Sequence, residues 1–393
     1  MARYLNEFRP TRRLLMGPGP CNIHPRVLQV MAETCQGHLD PEVTRAMEDI
    51  SDMLRIVLGT KNETTLAVSG TGSAAMESAV FNVIESGDRM LVAINGYFGD
   101  RLAEVASRAG AEVHKVEFEW GKPVQADAVA AALKRLGKVK VVGMVHAETS
   151  TGVLSPPAAI ADVAHEHGAI LLMDAVTSVG GMEVALDEWG VDVCYSGPQK
   201  CLGIPPGIAP ISMSPRAEEV YRNRKTKVVS FYLDIGLLKE YWTPPHKYHH
   251  TGPANLIYAM REGLRMIMKE GLEKRFARHA KNAAALRAGL EAMGMKLFAD
   301  PSCCLNSITT VWIPEGVNDA KTRSTLLNEY NLEIGGGLGP VAGKIWRIGL
   351  MSDSSHPANV FACLSALEEV MLRQGYEIPR GAGLAAAQKA LVS

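Results

Sequence analysis

Lys200 is the only charged residue from Val193 to Pro215, a stretch otherwise made of apolar, small, glycine and proline residues. A lysine is a useful nucleophile only when its amine is unprotonated, and removal from water lowers its pKa. The stretch predicts either a lysine held for covalent chemistry or an ordinary lysine in a surface loop. Lys200 taken alone favours the surface loop.

Asp174 is a second charged residue in apolar surroundings, because it directly follows Ile170-Leu171-Leu172-Met173. Open α/β sheets bind ligands beyond the carboxyl ends of their strands, where an aspartate could face a ligand. An aspartate at this place could equally be the N-cap of a following helix. The two interpretations are even on this residue alone.

The segment SGTGSAAMES (69–78) follows a predicted strand and opens a predicted helix. Free backbone N–H groups and the helix dipole make such a start an anion site. Gly70, Gly72 and Ala75 also satisfy the dinucleotide fingerprint, which requires an acidic residue at the end of the next strand. That strand ends in Asn95, so the pattern indicates a phosphate site and disfavours a dinucleotide.

Arg347 is a lone arginine in GKIWRIGL, between Trp346 and Ile348 on a predicted strand. The planar guanidinium binds a carboxylate through two parallel hydrogen bonds. A structural ion pair and an edge-strand charge are the alternatives.

The composition excludes several classes of function. The chain has 393 residues, 47% apolar and 21% charged, with a net charge of −1, so neither nucleic acid nor a membrane is predicted as a partner. Its seven cysteines show no C-x-x-C spacing, and its histidines show no metal-ligand spacing. We expect free thiols in a cytoplasmic protein without a metal site.

Apolar runs alternate with helix-length segments along the first two thirds of the chain. This alternation predicts an α/β fold with a mainly parallel seven-stranded sheet covered by helices. The predicted strands are 64–70, 89–96, 112–118, 140–148, 169–175, 192–197 and 208–214. The predicted helices between them are 73–84, 99–110, 126–137 and 158–168.

The chain changes character after residue 255. Residues 255–294 predict one or two long amphipathic helices, and the segments after them predict a smaller α+β domain. We therefore expect an N-terminal arm (1–22), a large cofactor-binding domain (23–265) and a small C-terminal domain (266–393). The proline-rich segment 241–253 is predicted to be a loop.

The four features together are more specific than any one of them. A phosphate cradle, a strand-end aspartate, a lysine 26 residues later and a distant arginine are what pyridoxal phosphate (PLP) chemistry requires. The lysine would bind the cofactor as a Schiff base, and the aspartate would keep the pyridine nitrogen protonated. The arginine would bind the substrate carboxylate.

Several motifs, in this order, resemble those of class V aminotransferases, and the resemblance extends from about Leu14 to about Gln374. It is strongest to the alanine–glyoxylate and serine–glyoxylate (serine–pyruvate) enzymes, and it implies fold type I and a homodimer with shared active sites. The motifs are LLMGPGPCNIHPRVL, GHLDPE, AVSGTGSAAMES, VHAETSTGV, LLMDAVTSVGG, SGPQKCLGIPPG, YHHTGP and GGGLGPVAGKIWRIG.

The resemblance assigns a role to each matching residue. Lys200 and Asp174 are the catalytic pair, and Arg347 and Gly19 contact the substrate. Phe98 stacks on the cofactor ring, where the animal enzymes carry tryptophan. The other residues implied to bind the cofactor are Thr71, Gly72 and Ser73 at the phosphate, Thr149 at the phenolic oxygen, Gln199 beside the lysine, and Tyr248 and Thr251 from the partner subunit.

The predicted function is ping-pong transamination between a small amino acid, alanine or serine, and a 2-oxo acid, glyoxylate or pyruvate. Within the family, ureidoglycine–glyoxylate aminotransferase is the main alternative, although that branch tends to carry asparagine where this chain has Tyr248. Pyridoxamine–pyruvate aminotransferase and cysteine desulfurase are further alternatives, the latter requiring a nucleophilic cysteine such as Cys303 or Cys304. From other classes, an NAD-dependent dehydrogenase and a cofactor-free binding protein remain open.

Overall fold

The computed structural model describes residues 4–392. The strands are β1 (Leu14–Leu15), β2 (Thr64–Gly70), β3 (Arg89–Ile94), β4 (Glu112–Glu117), β5 (Val141–Val145), β6 (Ala147–Glu148), β7 (Val153–Leu154), β8 (Ile170–Asp174), β9 (Val193–Tyr195), β10 (Gly207–Met213), β11 (Ile308–Trp312), β12 (Leu332–Glu333), β13 (Gly335–Gly336) and β14 (Ile345–Gly349). The α-helices are α1 (Pro25–Met31), α2 (Pro41–Leu58), α3 (Gly72–Val83), α4 (Tyr97–Arg108), α5 (Ala126–Leu136), α6 (Ala158–Glu166), α7 (Pro215–Arg222), α8 (Ile235–Trp242), α9 (Ala254–Glu270), α10 (Leu272–Ala292), α11 (Asp319–Glu329), α12 (Pro357–Leu372) and α13 (Ala382–Val392).

The largest sheet has seven strands in the order β2-β10-β9-β8-β5-β3-β4. Its strands are parallel except β10, which runs antiparallel to β2 and to β9. The strands β5 and β8 are buried at every position, as expected for continuous apolar runs covered on both faces. The predicted α/β class with a mainly parallel seven-stranded sheet is confirmed.

A smaller sheet, in the order β11-β14-β13, lies in the C-terminal third of the chain. Its core includes Trp346 and Ile348 from β14, with Leu286 from α10 and Leu364 from α12. The segment predicted as an N-terminal arm reaches this region, because β1 pairs in parallel with β12. The predicted domain boundary near residue 265 lies inside α9, and the division into domains stays a prediction.

The structure refines one predicted helical segment and shortens one predicted loop. The helical stretch after residue 255 is two helices, α9 and α10, which meet at Gly271 with φ of 84°, a conformation that favours glycine. The loop predicted at 241–253 starts only after Trp242 in the structure. Tyr241 and Trp242 are buried in the core and complete the last turn of α8.

Within residues 4–392, no helix has the length and apolarity needed to cross a membrane. The same residues contain no group of three or more His, Cys, Asp or Glu side chains arranged to hold a metal ion.

Candidate active site

The carboxyl ends of the parallel strands place most of the predicted cofactor-binding residues at one edge of the sheet. The strands β2, β3, β5, β8 and β9 all run in the same direction, so the segments that follow them converge there. A cavity of about 200 Å³ lies at this edge. It is lined by Gly72, Ser73, Met76, Phe98, Arg101, Val145, Thr149, Asp174, Val176, Gln199 and Lys200.

Lys200 lies in the turn after β9 and is only 8% exposed. Its Nζ donates a hydrogen bond to the carbonyl oxygen of Pro18. Gly19 has φ of +104°, and a Cβ at that position would lie 2.6 Å from Nζ, so only glycine allows this approach. Burial, together with the positive charge of Arg347, lowers the pKa of Lys200 to about 8. The surface-lysine alternative is therefore wrong.

Asp174 ends β8 and is 2% exposed. Its Oδ2 accepts a hydrogen bond from the hydroxyl of Tyr195 at 2.6 Å, and its Oδ1 accepts one from the Val176 amide at 2.8 Å. Burial raises the pKa of Asp174 to about 6, and the two donors oppose that rise. Since the next regular element is β9, Asp174 does not cap a helix, and that alternative is wrong.

The turn predicted to bind phosphate forms the start of α3. Thr71 is its N-cap and makes no side-chain capping hydrogen bond. The first amide groups of a helix have no partner inside the helix, so those of Gly72 and Ser73 are available to an anion. Gly72 lies beside the turn before Lys200, since a Cβ there would be in ordinary van der Waals contact with Cα of Gly197 at 3.5 Å.

The remaining cavity residues supply an aromatic ring and polar groups. Phe98 lies in the first turn of α4, and the guanidinium of Arg101 lies 5.0 Å from its ring centroid. The hydroxyl of Thr149 hydrogen-bonds that of Thr177. Gln199 Oε1 is buried and has no hydrogen-bond partner within the described chain. A buried acceptor without a partner costs free energy, so it indicates a group that a ligand completes.

These residues match the chemistry of PLP. The cofactor carries a phosphate, a basic ring nitrogen, a phenolic oxygen and an aldehyde. The start of α3 suits the phosphate, Asp174 the ring nitrogen, Thr149 and Gln199 the polar substituents, and the buried amine of Lys200 the aldehyde. The residues present therefore fit the group.

Arg347 lies on β14 outside the cavity lining and is 7% exposed. Its Nε donates to the carbonyl of Gly336 at 2.7 Å and its Nη1 to that of Thr149 at 3.5 Å. No carboxylate of residues 4–392 lies within 4.0 Å of its guanidinium nitrogens, so the ion-pair alternative is wrong. Burial lowers the pKa of Arg347 to about 10, and the negative charge of Glu148 opposes that change.

Tyr248 and Thr251 do not line the cavity of their own chain. Tyr248 is 61% exposed and its ring contacts that of His38, with centroids 5.4 Å apart. The loop that carries them is anchored by His250, whose Nε2 lies 2.7 Å from Oγ of Ser69 at the end of β2. Their assignment to a partner's site stays a prediction.

Three groups near the cavity were not predicted from the sequence. They are Tyr195 beneath Asp174, the carbonyl of Pro18 at Lys200, and Glu148 before Thr149. The register of β8 against β9 pairs Asp174 with Tyr195, so correct strand alignment could have identified the tyrosine. Glu148 could have been identified in the same way as Asp174, because it is an acidic residue at the end of a mainly apolar predicted strand.

Residues 15–350 of the chain match the sequence model of the class-V aminotransferase family. The chain belongs to the class-V aminotransferases. The predicted family, fold type I and PLP dependence are thereby confirmed, and the NAD-dependent dehydrogenase and the cofactor-free binding protein are wrong.

Relatives of this aminotransferase cover most of its length. The (S)-ureidoglycine–glyoxylate transaminase of Bacillus subtilis (strain 168) is 40% identical over 393 aligned residues, which cover 95% of this chain and 94% of that protein. The alanine–glyoxylate aminotransferase of Rattus norvegicus is 40% identical over 364 aligned residues, which cover 92% of this chain and 88% of that protein. The crystal structure of the alanine–glyoxylate aminotransferase of Nostoc sp. superposes with a TM-score of 0.92 at 46% identity, covering 93% of this chain and 97% of that chain.

Proposed function

We propose that this aminotransferase transfers an amino group from a small amino acid, alanine or serine, to glyoxylate in a ping-pong reaction. The observation that carries the proposal is Arg347, a buried cation that has no ion pair among residues 4–392 and whose charge acts on Lys200. A buried charge requires a partner, and the α-carboxylate shared by amino acids and 2-oxo acids is a suitable one. Glyoxylate is proposed as the acceptor because both named kinds of relative carry it in their names.

Each polar residue then has one task. When bound, PLP supplies the electron sink for the pair released when the substrate's Cα–H bond breaks. The Nζ of Lys200, lowered to a pKa of about 8 by burial, would in its unprotonated form accept that proton and later give it back. Asp174, ionised at neutral pH, favours the protonated ring nitrogen. Arg347 and Gly19 orient the substrate beside Lys200.

(S)-Ureidoglycine is the alternative donor, because the Bacillus relative is named for it. The exposed Tyr248 supports alanine or serine instead, since it stands where the ureidoglycine branch tends to carry asparagine. Cysteine desulfurase chemistry has no support from Cys303 and Cys304. Their thiols lie 3.4 Å and 3.3 Å from the carbonyl of Asp300, and neither residue lines the cavity.

We also propose a homodimer in which Tyr248 and Thr251 complete the partner's site. Large apolar side chains are exposed next to this loop, and exposed apolar patches mark interfaces. They are Val229 at 70%, Phe231 at 68% and Tyr232 at 42%. A cytoplasmic location is proposed as well, because all seven cysteines are free.

The test compares kcat/KM for alanine, serine, (S)-ureidoglycine, glyoxylate and pyruvate in the wild type and in Arg347→Met. Loss of Arg347 should weaken transition-state binding by roughly 2–5 kcal/mol in both half-reactions, the scale for removing one partner of a buried charge pair. Amines without a carboxylate should lose far less. Arg287→Met is the matched control, because Arg287 is also bonded to a backbone carbonyl, that of Leu305 at 3.0 Å. Arg347 contacts the cavity residue Thr149, whereas the hydrogen bonds of Arg287 go to Leu305 and Asn306, which do not line the cavity.

Unchanged kcat/KM in Arg347→Met would contradict the proposed substrate class. A colourless wild-type protein that neither binds PLP nor reacts with borohydride would contradict the use of the site. If (S)-ureidoglycine gave the highest kcat/KM, the proposed donor would be wrong and the alternative correct.

A further inference from the structure

We propose that Glu148 is a positioning residue that fixes Phe98 and Thr149 relative to each other at the cofactor site. This inference rests on the proposed function of the cavity. Glu148 does not line the cavity and has no other role in the reaction as described above.

The Glu148 carboxylate is completely buried and accepts four hydrogen bonds. Its Oε2 accepts from the amides of Phe98 at 3.1 Å and Gly99 at 3.2 Å. Its Oε1 accepts from the amide of Ser150 at 2.9 Å and from its hydroxyl at 2.6 Å. One carboxylate thus joins the helix that carries Phe98 to the segment that carries Thr149.

The same contacts cap α4. Its N-cap residue, Gly96, has no side chain to cap the helix, and the Ser150 hydroxyl accepts from the Tyr97 amide at 2.9 Å. The first three amides of α4 therefore end on Glu148 and Ser150. A Cβ at Gly96 would lie 2.6 Å from Ser150 Oγ, so glycine makes room for this arrangement. Burial raises the pKa of Glu148, and the hydrogen bonds from Ser150, Gly99 and Phe98 at this helix N-terminus partly offset that cost.

The charge of Glu148 also acts on the substrate arginine. No ion pair within 4.0 Å joins the two side chains, yet the negative charge of Glu148 supports the protonated state of Arg347. The Arg347 guanidinium has no carboxylate of the described residues within 4.0 Å, and the negative charge of Glu148 partly compensates its positive charge from a distance. Thr149 links the two, since its carbonyl accepts from Arg347 Nη1 and it directly follows Glu148.

Glu148→Gln tests the proposal, because the amide keeps the size of the side chain but presents an NH₂ group to N–H donors on one side. Asp192→Asn is the matched control. Asp192 is 3% exposed and accepts from the Leu171 amide at 2.9 Å, the Ser214 hydroxyl at 2.8 Å and His165 Nε2 at 2.7 Å. It precedes β9 and so lies at the edge of the sheet opposite Asp174.

Three measurements separate positioning from simple stabilisation. They are the Kd of PLP for the cofactor-free protein, the rise in Tm on saturation with PLP, and the visible circular dichroism of the bound cofactor. In Glu148→Gln, Kd should rise about tenfold or more, comparable to loss of a supporting partner behind a metal ligand. The PLP-dependent rise in Tm and the dichroism should both shrink. Asp192→Asn should lower Tm equally with and without PLP and leave Kd unchanged.

If Glu148→Gln lost only stability and bound PLP like the wild type, the inference would be wrong. If the wild type did not bind PLP, the proposed function would fail instead. Should Glu148→Gln not fold, Ser150→Ala removes one of the four donors and the Tyr97 contact. It should shift Kd and the dichroism in the same direction by a smaller factor, and unchanged values there would equally contradict the proposal.

Discussion

Lys200→Met should change the pH dependence of stability in the cofactor-free protein. The pKa of Lys200 is lowered from 10.5 to about 8, chiefly by burial. Methionine fills nearly the same volume but carries no ionisable group. The comparison of the two proteins therefore isolates the contribution of this one amine to the free energy of unfolding, independently of turnover.

The direction in which the stability of the wild type changes with pH follows from the number of protons bound by the folded and unfolded states. Between pH 8 and 10.5 the unfolded lysine holds a proton that the folded one has released, so the unfolded state binds more protons and wild-type stability rises with pH. Below pH 8 both states are protonated and the slope vanishes. Each pH unit between the two pKa values is worth about 1.4 kcal/mol, so the full window corresponds to about 3 kcal/mol.

The assay is urea unfolding of both proteins at equal concentration, at pH values from about 7.5 to about 10. The difference in free energy of unfolding, wild type minus Lys200→Met, should grow steadily more positive across that range. Lys321→Met, at an exposed helical lysine, should show only the change expected from losing a solvated side chain. A difference between wild type and Lys200→Met that stays constant with pH would refute the claim that burial lowers the pKa of Lys200.

Three further outcomes are expected. Asp174→Asn should still bind PLP but slow exchange of the alanine α-proton with solvent by orders of magnitude, because a neutral amide no longer favours the protonated ring nitrogen; near-normal exchange measured by NMR would mean that Asp174 has no role in the chemistry. Tyr195→Phe removes a donor to the Asp174 carboxylate and should raise its pKa. The acid limb of the kcat/KM profile should then move to higher pH, and an unmoved limb would contradict the role of Asp174. Mixing Lys200→Ala with a Tyr248 variant that cannot bind PLP should restore about a quarter of the wild-type activity, since half of the dimers are hybrids with one intact site. A fully active monomer in sedimentation would overturn the shared site.

The large sheet could be predicted from the sequence because its inner strands, such as β5 and β8, are continuous apolar runs and several of its strands are separated by helix-length segments. The predicted strand 169–175 matches β8, and the predicted strand 64–70 matches β2. The end of α8 could not be predicted in the same way. The sequence around Pro244 and Pro245 indicates a loop, but burial of Tyr241 and Trp242 against the core extends the helix.

The site was predictable where one residue type stood out from its surroundings. Lys200, Asp174 and Arg347 are lone charges among apolar residues, and the structure brings Lys200 and Asp174 into one cavity. Tyr195 was not predictable this way, because a tyrosine in a buried strand is unremarkable until the register places its hydroxyl on Asp174. The pairing of Glu148 with the start of α4 depends on loop packing across 50 residues of sequence.

The groups that compensate the charges of Asp174 and Arg347 lie largely outside the cavity. Asp174 is held from the adjoining strand by Tyr195, and Arg347 by the carbonyl of Gly336 and the distant charge of Glu148. Lys200 is turned toward the carbonyl of Pro18. None of these partners, Tyr195, Gly336, Glu148 and Pro18, lines the cavity. A substitution behind the site should therefore alter the pKa or orientation of a reacting group without removing any direct contact with the substrate.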